Sequence, residues 1–440
     1  MSKTRIEVKR LGINGEGIGF WQQKPVFIDG ALTNETVLVD NIKSYGKYAK
    51  AHLIKVEKAS KYRCAPNCKL YGQCGGCNLM HAKYTHQLKA KENYLKESLT
   101  KYAPKVNVES FLPIIGSKKN NGYRNHAKLI LKKYSGHWHT GLYESGSNHF
   151  LTIDQYCLIH DPIINQTIKQ LLNCLDNTSY QNFDSKTKLG LRGVAIRYLS
   201  GQLSITLVTG KDELSHEFVA QLQQTTKANV IAQIINTSKN VTNLMDGNIR
   251  YLTKNHHLNV NVCNLNVSIA PQAFFQLNTH GLEAMVETID KLLPNNVSLF
   301  EGYCGVGLLS LALAKKINYG VGVEIVDAAI VSANKNASNN GIKQMQYKVG
   351  DSANELRYEH KKHKFDVVLV DPPRSGLDDN MIKTLLKTNV DSIIYVSCNP
   401  STLAKNLDAL KSKYQVKLIQ PLDMFPQTMH VESITLLQRR

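Results

Sequence analysis

Short β-branched runs at residues 6–9, 25–28, 36–39 and 51–56 alternate with glycine-rich turns such as residues 12–19, a pattern that predicts strands joined by tight connections. A small β-barrel of the oligonucleotide-binding type accommodates them, and residues 1–58 form its expected domain. Next, a cysteine cluster leads into a predicted helix at residues 84–99, where Leu88, Leu95 and Leu99 make an apolar stripe between lysines. Residues 59–122 are therefore expected to be a cysteine segment with a linking helix. The stretch 123–268 mixes strand-like runs (126–132, 193–198, 203–208) with helical ones (163–175, 213–224), as an α+β middle domain would. From residue 269 to 440 strands and helices alternate in the manner of a doubly wound, Rossmann-like parallel sheet.

Composition narrows the class. At 440 residues with 42% hydrophobic content, the chain exceeds what one core organises, and two or three domains are expected. The longest apolar run, 297–314, is interrupted by Glu301 and glycines, and residues 1–12 are charged without an apolar signal core, so a cytoplasmic protein with no membrane partner is expected. Nine cysteines, four of them at Cys64, Cys68, Cys74 and Cys77, point to metal binding or catalysis rather than a disulfide framework. The net charge of +19 calls for a polyanion, with nucleic acid the leading candidate. Residues 1–105 carry 19 Lys or Arg against 8 Asp or Glu, more than half of that excess, which marks them as a docking region or as a solvated basic face.

Candidate chemistry sits at predicted strand ends of the last domain. A strand at 297–301 runs into Gly302-Tyr303-Cys304-Gly305-Val306-Gly307 and then a helix at 308–314, the strand, loop and helix of a nucleotide site. The following strand, 320–323, ends in Glu324, an acceptor suited to ribose hydroxyls. The glycines are spaced G-x-x-G-x-G rather than G-x-G-x-x-G, and no G-K-[ST] loop occurs, which favours an adenosyl group without phosphates over a dinucleotide. Asp351 after the next strand could meet an adenine amine or could be a helix cap. The strand at 365–370 delivers Asp371-Pro372-Pro373-Arg374, where the prolines restrict the backbone beside a carboxylate and a guanidinium. The strand at 392–396 delivers Ser397-Cys398-Asn399-Pro400 before a helix. A thiol at a helix amino terminus is expected to have a lowered pKa; alternatively Cys398 is one more buried thiol. Glu432 stands in Phe425-Pro426-Gln427-Thr428-Met429-His430-Val431-Glu432-Ser433, a terminal hairpin where a carboxylate by itself would be an ordinary ion-paired group.

Together these motifs resemble the RNA 5-methyluridine methyltransferases, in which S-C-N-P holds a nucleophile, D-P-P-R a ligand-binding Asp and F-P-x-T-x-H-x-E-S a base. Phe274-Phe275-Gln276-Leu277-Asn278 is similar to the family's F-F-Q-x-N stretch, whose Gln contacts the methionine part of the cofactor. The resemblance implies that Cys398 and Glu432 are catalytic and that Gln276, Tyr303, Gly305, Glu324, Asp351 and Asp371 bind S-adenosylmethionine. Arg124 in Tyr123-Arg124-Asn125-His126 resembles a family stretch near the RNA, or is a surface arginine.

The amino-terminal part extends the likeness. Cys68, Cys74 and Cys77 have C-x5-C-x2-C spacing, and Cys157 offers a fourth thiolate; four thiolates can hold zinc or an iron–sulfur cluster, and spacing does not choose. Ribosomal members of the family resemble this layout, with a TRAM barrel followed by a 4Fe-4S site, which implies a cluster on Cys68, Cys74, Cys77 and Cys157 and a 23S ribosomal RNA partner for a monomer. Cys64 is an additional thiol that competes with Cys68 for the first ligand position, and Leu308 replaces an Asn of some relatives. Transfer RNA as substrate and a catalytically silent RNA-binding assembly factor are the alternatives. A cytosine 5-methyltransferase would add a P-C dipeptide that does not follow Asp371, and an amino-methyltransferase would carry an aromatic where Arg374 stands.

Overall fold

A computed structural model describes residues 3–144, 147–154, 156–238 and 244–440. Gln155, the neighbour but one of Cys157, and the first two residues of the expected barrel lie outside them. The chain divides into two compact units: Met1–Asn120 with Asp371–Arg440, and Asn121–Val370.

In the first unit, strands Thr4–Glu7, Arg10–Leu11, Gly17–Trp21, Lys24–Ile28, Thr36–Ser44 and Ala49–Lys58 form one six-stranded sheet. Neighbours are antiparallel except for Lys24–Ile28 beside Ala49–Lys58. Side chains alternate across a strand, so Val37 and Val39 of Thr36–Ser44 turn inward to join Ile6, Val8, Val26 and Ile28 in one core. A Cβ at Gly19 would come within 2.3 Å of Ile6 and 2.6 Å of the Glu7 carbonyl, so this crossing of strands requires a residue without a side chain. The runs at 25–28, 36–39 and 51–56 lie within Lys24–Ile28, Thr36–Ser44 and Ala49–Lys58, whereas the run at 6–9 is a strand only as Thr4–Glu7 and part of the expected turn at 12–19 belongs to strand Gly17–Trp21.

The helix expected at 84–99 spans Tyr84–Tyr102. It is not a linker. It packs against helix Pro400–Leu410, and strand Val108–Phe111 behind it pairs in parallel with Tyr414–Leu422. Residues 59–120 thus fold in one unit with the end of the chain, the helix packing Ala90 and Tyr94 with Leu11, Leu32 and Leu79 as well as with Met429 near the carboxyl end. Within the unit the strand order is Ser392–Ser397, Glu432–Arg439, Tyr414–Leu422, Val108–Phe111, the first three antiparallel. The sheet thus ends in the terminal hairpin expected around Glu432.

The second unit holds a seven-stranded sheet in the order Phe150–Thr152, His137–Tyr143, His126–Tyr134, Leu191–Leu199, Gln202–Thr209, Val230–Ile235, Asn248–Tyr251. Helix Pro162–Asp176 covers it, started by Asp161, which accepts from the Ile163 amide at 2.9 Å, and by a proline in the first turn. Ile164, Ile168, Leu171 and Leu175 recur at helical spacing and are fully buried. Strands Met345–Val349, Ile317–Glu324, Val297–Gly302 and Val367–Val370 run parallel in that order. All six residues of Val297–Gly302 are buried, as parallel strands covered on both faces must be. Among the described residues no helix is long and apolar enough to cross a membrane.

Candidate active site

Two strand ends carry the residues singled out by sequence. In the second unit, strand Val297–Gly302 stops where Tyr303 and Gly305 adopt left-handed backbone (φ 61° and 53°) and Gly307 caps the short helix Leu308–Ala312 with φ 76°. A Cβ at Gly305 would meet no atom within 4 Å, whereas one at Gly307 would strike the Tyr347 ring at 2.7 Å. Gly305 faces open space; Gly307 serves packing. Glu324, at the end of Ile317–Glu324, accepts from the Gly305 amide at 3.3 Å and from the amides of Ile325 (2.9 Å) and Val326 (3.1 Å). Backbone donors thus aim its carboxylate beside the open glycine. Ser352 Oγ accepts from the Tyr303 amide at 3.1 Å. Asp351 is the cap of helix Ser352–Lys362, accepting from Asn354 at 2.9 Å. Gln276 is half-buried in a segment fixed by Asn125, which donates to the Gln276 carbonyl at 2.9 Å and takes the Leu277 carbonyl on its own amide. Arg124, beside it, donates to the His126 carbonyl at 3.0 Å. An adenosyl group fits this cradle: an acceptor carboxylate, a glycine with space before it, and the exposed side chains of Ile325 and Val326.

In the first unit, Ser397 pairs with Ser433 in antiparallel register. Continuing that register sets Cys398 opposite Glu432, which itself pairs with Leu422 on its other side. Asn399 caps helix Pro400–Leu410, accepting from Ser401 at 3.1 Å, and donates to the Arg374 carbonyl at 3.1 Å. Thr402 adds a second bond to the same carbonyl at 3.3 Å. The Asp371-Pro372-Pro373-Arg374 turn is thereby tied to the cysteine-bearing turn. Arg374 Nη2 lies 3.0 and 3.1 Å from the two ring nitrogens of His430.

The electrostatics of this cluster correct one expectation. Cys398 was expected to have a lowered pKa at a helix start, but its thiol is pushed up to about 11 by burial, then by the carboxyls of Glu432 and Asp371, against the Arg374 charge and a backbone hydrogen bond that pull it down. Desolvation first, and then two like charges, oppose a thiolate here. Glu432 is buried and pushed up to about 8, first by desolvation and then by Asp371, against Arg374. Burial raises Asp371 to about 7. Such shifts mark a group of titrating neighbours rather than an ordinary ion pair. His430, Asn399 and Thr402, which the motif reading left without roles, are part of this assembly; only tertiary hydrogen bonds reveal them.

The metal expectation fares differently. Among the described residues no group of three or more His, Cys, Asp or Glu side chains is placed to hold a metal ion. Cys64 Sγ instead lies 3.6 Å from the Met80 carbonyl, and Cys74 Sγ accepts from the Gly76 amide at 3.3 Å. Cys68, Cys74 and Cys77 are therefore not gathered as a ligand set, and Cys157 belongs to the other compact unit. The sequence spacing of these thiols is compatible with four-thiolate coordination, but the geometry does not form it.

A doubly wound strand set with a glycine loop, in a chain that also brings a thiol and a carboxyl together at a strand end, defines a methyltransferase-type α/β protein. The family model described as tRNA (uracil-5-)-methyltransferase matches residues 83–440. An uncharacterized RNA methyltransferase of Listeria innocua is 34% identical, covering 100% of this chain and 98% of its own length, and one of Bacillus cereus is 34% identical over 99% and 96%. Among solved structures, the Pyrococcus abyssi tRNA (uracil-54, C5)-methyltransferase in complex with S-adenosyl-L-homocysteine superposes with a TM-score of 0.80 at 25% identity, covering 98% of this chain and 99% of that one. The chain belongs to the tRNA (uracil-5-)-methyltransferase family and is an RNA uracil-5 methyltransferase.

Proposed function

We propose that the enzyme transfers a methyl group from S-adenosylmethionine to carbon 5 of a uridine in 23S ribosomal RNA, with Cys398 as covalent nucleophile and Glu432 as base. The observation that supports this most is the register that sets Cys398 opposite Glu432 with Asp371 and Arg374 beside them. Carbon 5 of uracil is too weak a nucleophile to be methylated directly. The Cys398 thiol first gives up its proton to solvent, a demand its raised pKa makes explicit and Arg374 eases. Sγ then adds to carbon 6, and the electron pair of the 5,6 double bond passes into an enolate. Bound S-adenosylmethionine would supply the methyl to carbon 5, its sulfur–methyl bond breaking and S-adenosylhomocysteine leaving as the neutral thioether. Glu432, which must first be ionised because its pKa is raised to about 8, removes the proton from carbon 5, the double bond re-forms, and the bond from Sγ to carbon 6 breaks. Gln276, Tyr303, Gly305, Glu324, Asp351 and Asp371 are the proposed cofactor contacts. The target base must leave its stack to be reached, at a cost of a few kcal/mol.

The amino-terminal sheet is proposed as a TRAM-type RNA-docking barrel at residues 1–58, followed by the segments 59–122, 123–268 and 269–440, in a cytoplasmic monomer. The ribosomal assignment and the 4Fe-4S cluster on Cys68, Cys74, Cys77 and Cys157 rest on the family resemblance alone, and no step above passes through a metal. Protein purified without oxygen that is colourless and free of iron removes the cluster. A second reading, transfer RNA as substrate, is favoured by the likeness to the Pyrococcus abyssi enzyme.

The test uses methyl-labelled S-adenosylmethionine with ribosomal and transfer RNA from a deletion strain. Label in 23S RNA supports the proposal; label only in transfer RNA replaces it with the second reading. With the accepted RNA, Glu432→Gln should accumulate a labelled protein–RNA band stable to denaturant, because methylation proceeds and elimination stalls. Normal turnover in that variant removes Glu432 as the base.

A further inference from the structure

Residues 423–431 form the loop of the hairpin whose last strand pair is Leu422 with Glu432. The loop has bonds of its own, the Asp423 carboxylate accepting from the Phe425 amide at 3.1 Å and the Phe425 carbonyl from the Thr428 hydroxyl at 2.8 Å, but it is helix Tyr84–Tyr102 that anchors it to the rest of the unit. Asp423, the first loop residue, is pinned by Lys91 of helix Tyr84–Tyr102; both side chains are completely buried. Tyr84, two helical turns earlier, donates to the other Asp423 oxygen at 2.8 Å, and Lys91 also donates to the Phe425 carbonyl at 3.0 Å. Gln87 clasps the middle of the loop, donating to Gln427 Oε1 at 2.9 Å and accepting from the Gln427 amide at 2.9 Å. Asn78 takes the Met429 amide on Oδ1 at 2.8 Å and gives its own amide to the Gln427 carbonyl at 3.0 Å.

A buried ion pair is a poor way to stabilise a fold. Desolvating both charges costs several kcal/mol, and well-packed apolar replacements are often neutral or stabilising. What a buried, multiply hydrogen-bonded charge pair offers is a fixed geometry, because each donor and acceptor has one place to be. Lys91, Tyr84 and Gln87 lie on one face of the helix, at spacings of three and four residues, and all three grip the loop leading to the proposed base.

We infer that Tyr84, Gln87 and Lys91, through Asp423 and Gln427, are positioning residues that hold the hairpin loop so that Glu432 meets the proton of carbon 5. This rests on the reading of Glu432 as the base and adds to it a set of residues remote from the reacting atoms. Proton removal is the step they serve; nucleophilic addition and methyl transfer, which depend on Cys398, should be spared.

The test replaces the pair together, Lys91→Met with Asp423→Leu, in the full-length enzyme, and follows melting temperature, RNA affinity, turnover and the denaturant-stable labelled adduct. The expected result is a single cooperative melting transition, RNA binding within about 2-fold, turnover lowered by about 10- to 100-fold, the scale of a misplaced catalytic group, and an adduct that accumulates. Turnover near wild type overturns the inference, and so does reduced turnover without adduct. Should the double variant not fold, Tyr84→Phe, which deletes a single hydroxyl, is measured instead; it should lower turnover by about 3-fold or more with adduct, and an unchanged Tyr84→Phe enzyme overturns the inference. Glu432→Gln runs alongside. If it accumulates adduct while the positioning variants do not, only the positioning role falls; if it accumulates none, the reading of Glu432 falls and the inference with it.

Discussion

The loop after Val297–Gly302 and the turn after Ser392–Ser397 both occupy carboxyl ends of strands, yet they are made of opposite materials. The first is built from backbone: left-handed residues, an open glycine, and three amides that aim one carboxylate. The second is built from ionisable side chains crowded until each alters its neighbours, with a thiol and two carboxyls all pushed upward. A backbone cradle recognises shape and is ready before the ligand arrives. A cluster of shifted acids does nothing until protons move. The first should therefore fail through bulk and lost acceptors, and the second through charge and pH.

The largest separation is expected from Cys398→Ala, which should lower methyl transfer by about 10⁴-fold or more, as loss of a covalent nucleophile does, while S-adenosylmethionine affinity measured by calorimetry stays unchanged. A substantial residual rate would show that the thiol is not the nucleophile. Gly305→Val comes next. A β-branched side chain at φ 53° is strained and would fill the open space before the loop, so cofactor affinity should fall about 100-fold with RNA affinity retained. Glu324→Ala removes a charged acceptor and should weaken the cofactor about 10-fold; equal losses for RNA would mean that the carboxylate is not a cofactor contact.

The smallest effect concerns stability. Folded Glu432 holds its proton up to about 8, while an unfolded glutamate releases it near about 4.3. Between those values the folded chain binds more protons, so this group's contribution is complete below the unfolded pKa and is lost as pH rises through the folded one. Buried histidines such as His126 and His160, held neutral by desolvation, act in the opposite direction, so the comparison has to be differential. The melting temperature of Glu432→Gln minus that of wild type should increase by a few degrees from pH 5 to pH 9. A constant difference would place Glu432 among ordinary carboxylates.

Much of this contrast was readable along the chain, and the reason differs by region. Local signals succeeded where local physics decides: β-branched runs between glycines marked the amino-terminal strands, Asn399-Pro400 marked the start of a helix, and Gly302 to Gly307 marked a loop that needs left-handed backbone. The expectation for the Cys398 thiol failed because it weighed the one neighbour that sequence supplies, a helix end, and could not count Glu432 and Asp371, which lie 34 and 27 positions away. The contacts of helix Tyr84–Tyr102 were hidden for a related reason. A lysine on a helix face looks solvated until Asp423, more than 300 residues on, is found against it.

By itself, then, the amino-acid sequence determined the elements, the strand ends and the identities of the residues gathered there, since propensity, glycine placement and short motifs act over a few residues. The tertiary structure alone decided which of these residues face one another. Antiparallel register brought Glu432 to Cys398, the helix Tyr84–Tyr102 was joined to the final hairpin, and desolvation turned ordinary carboxyls into groups that hold protons near neutral pH. Burial and charge coupling are sums over neighbours in space, and no window along the chain contains those neighbours.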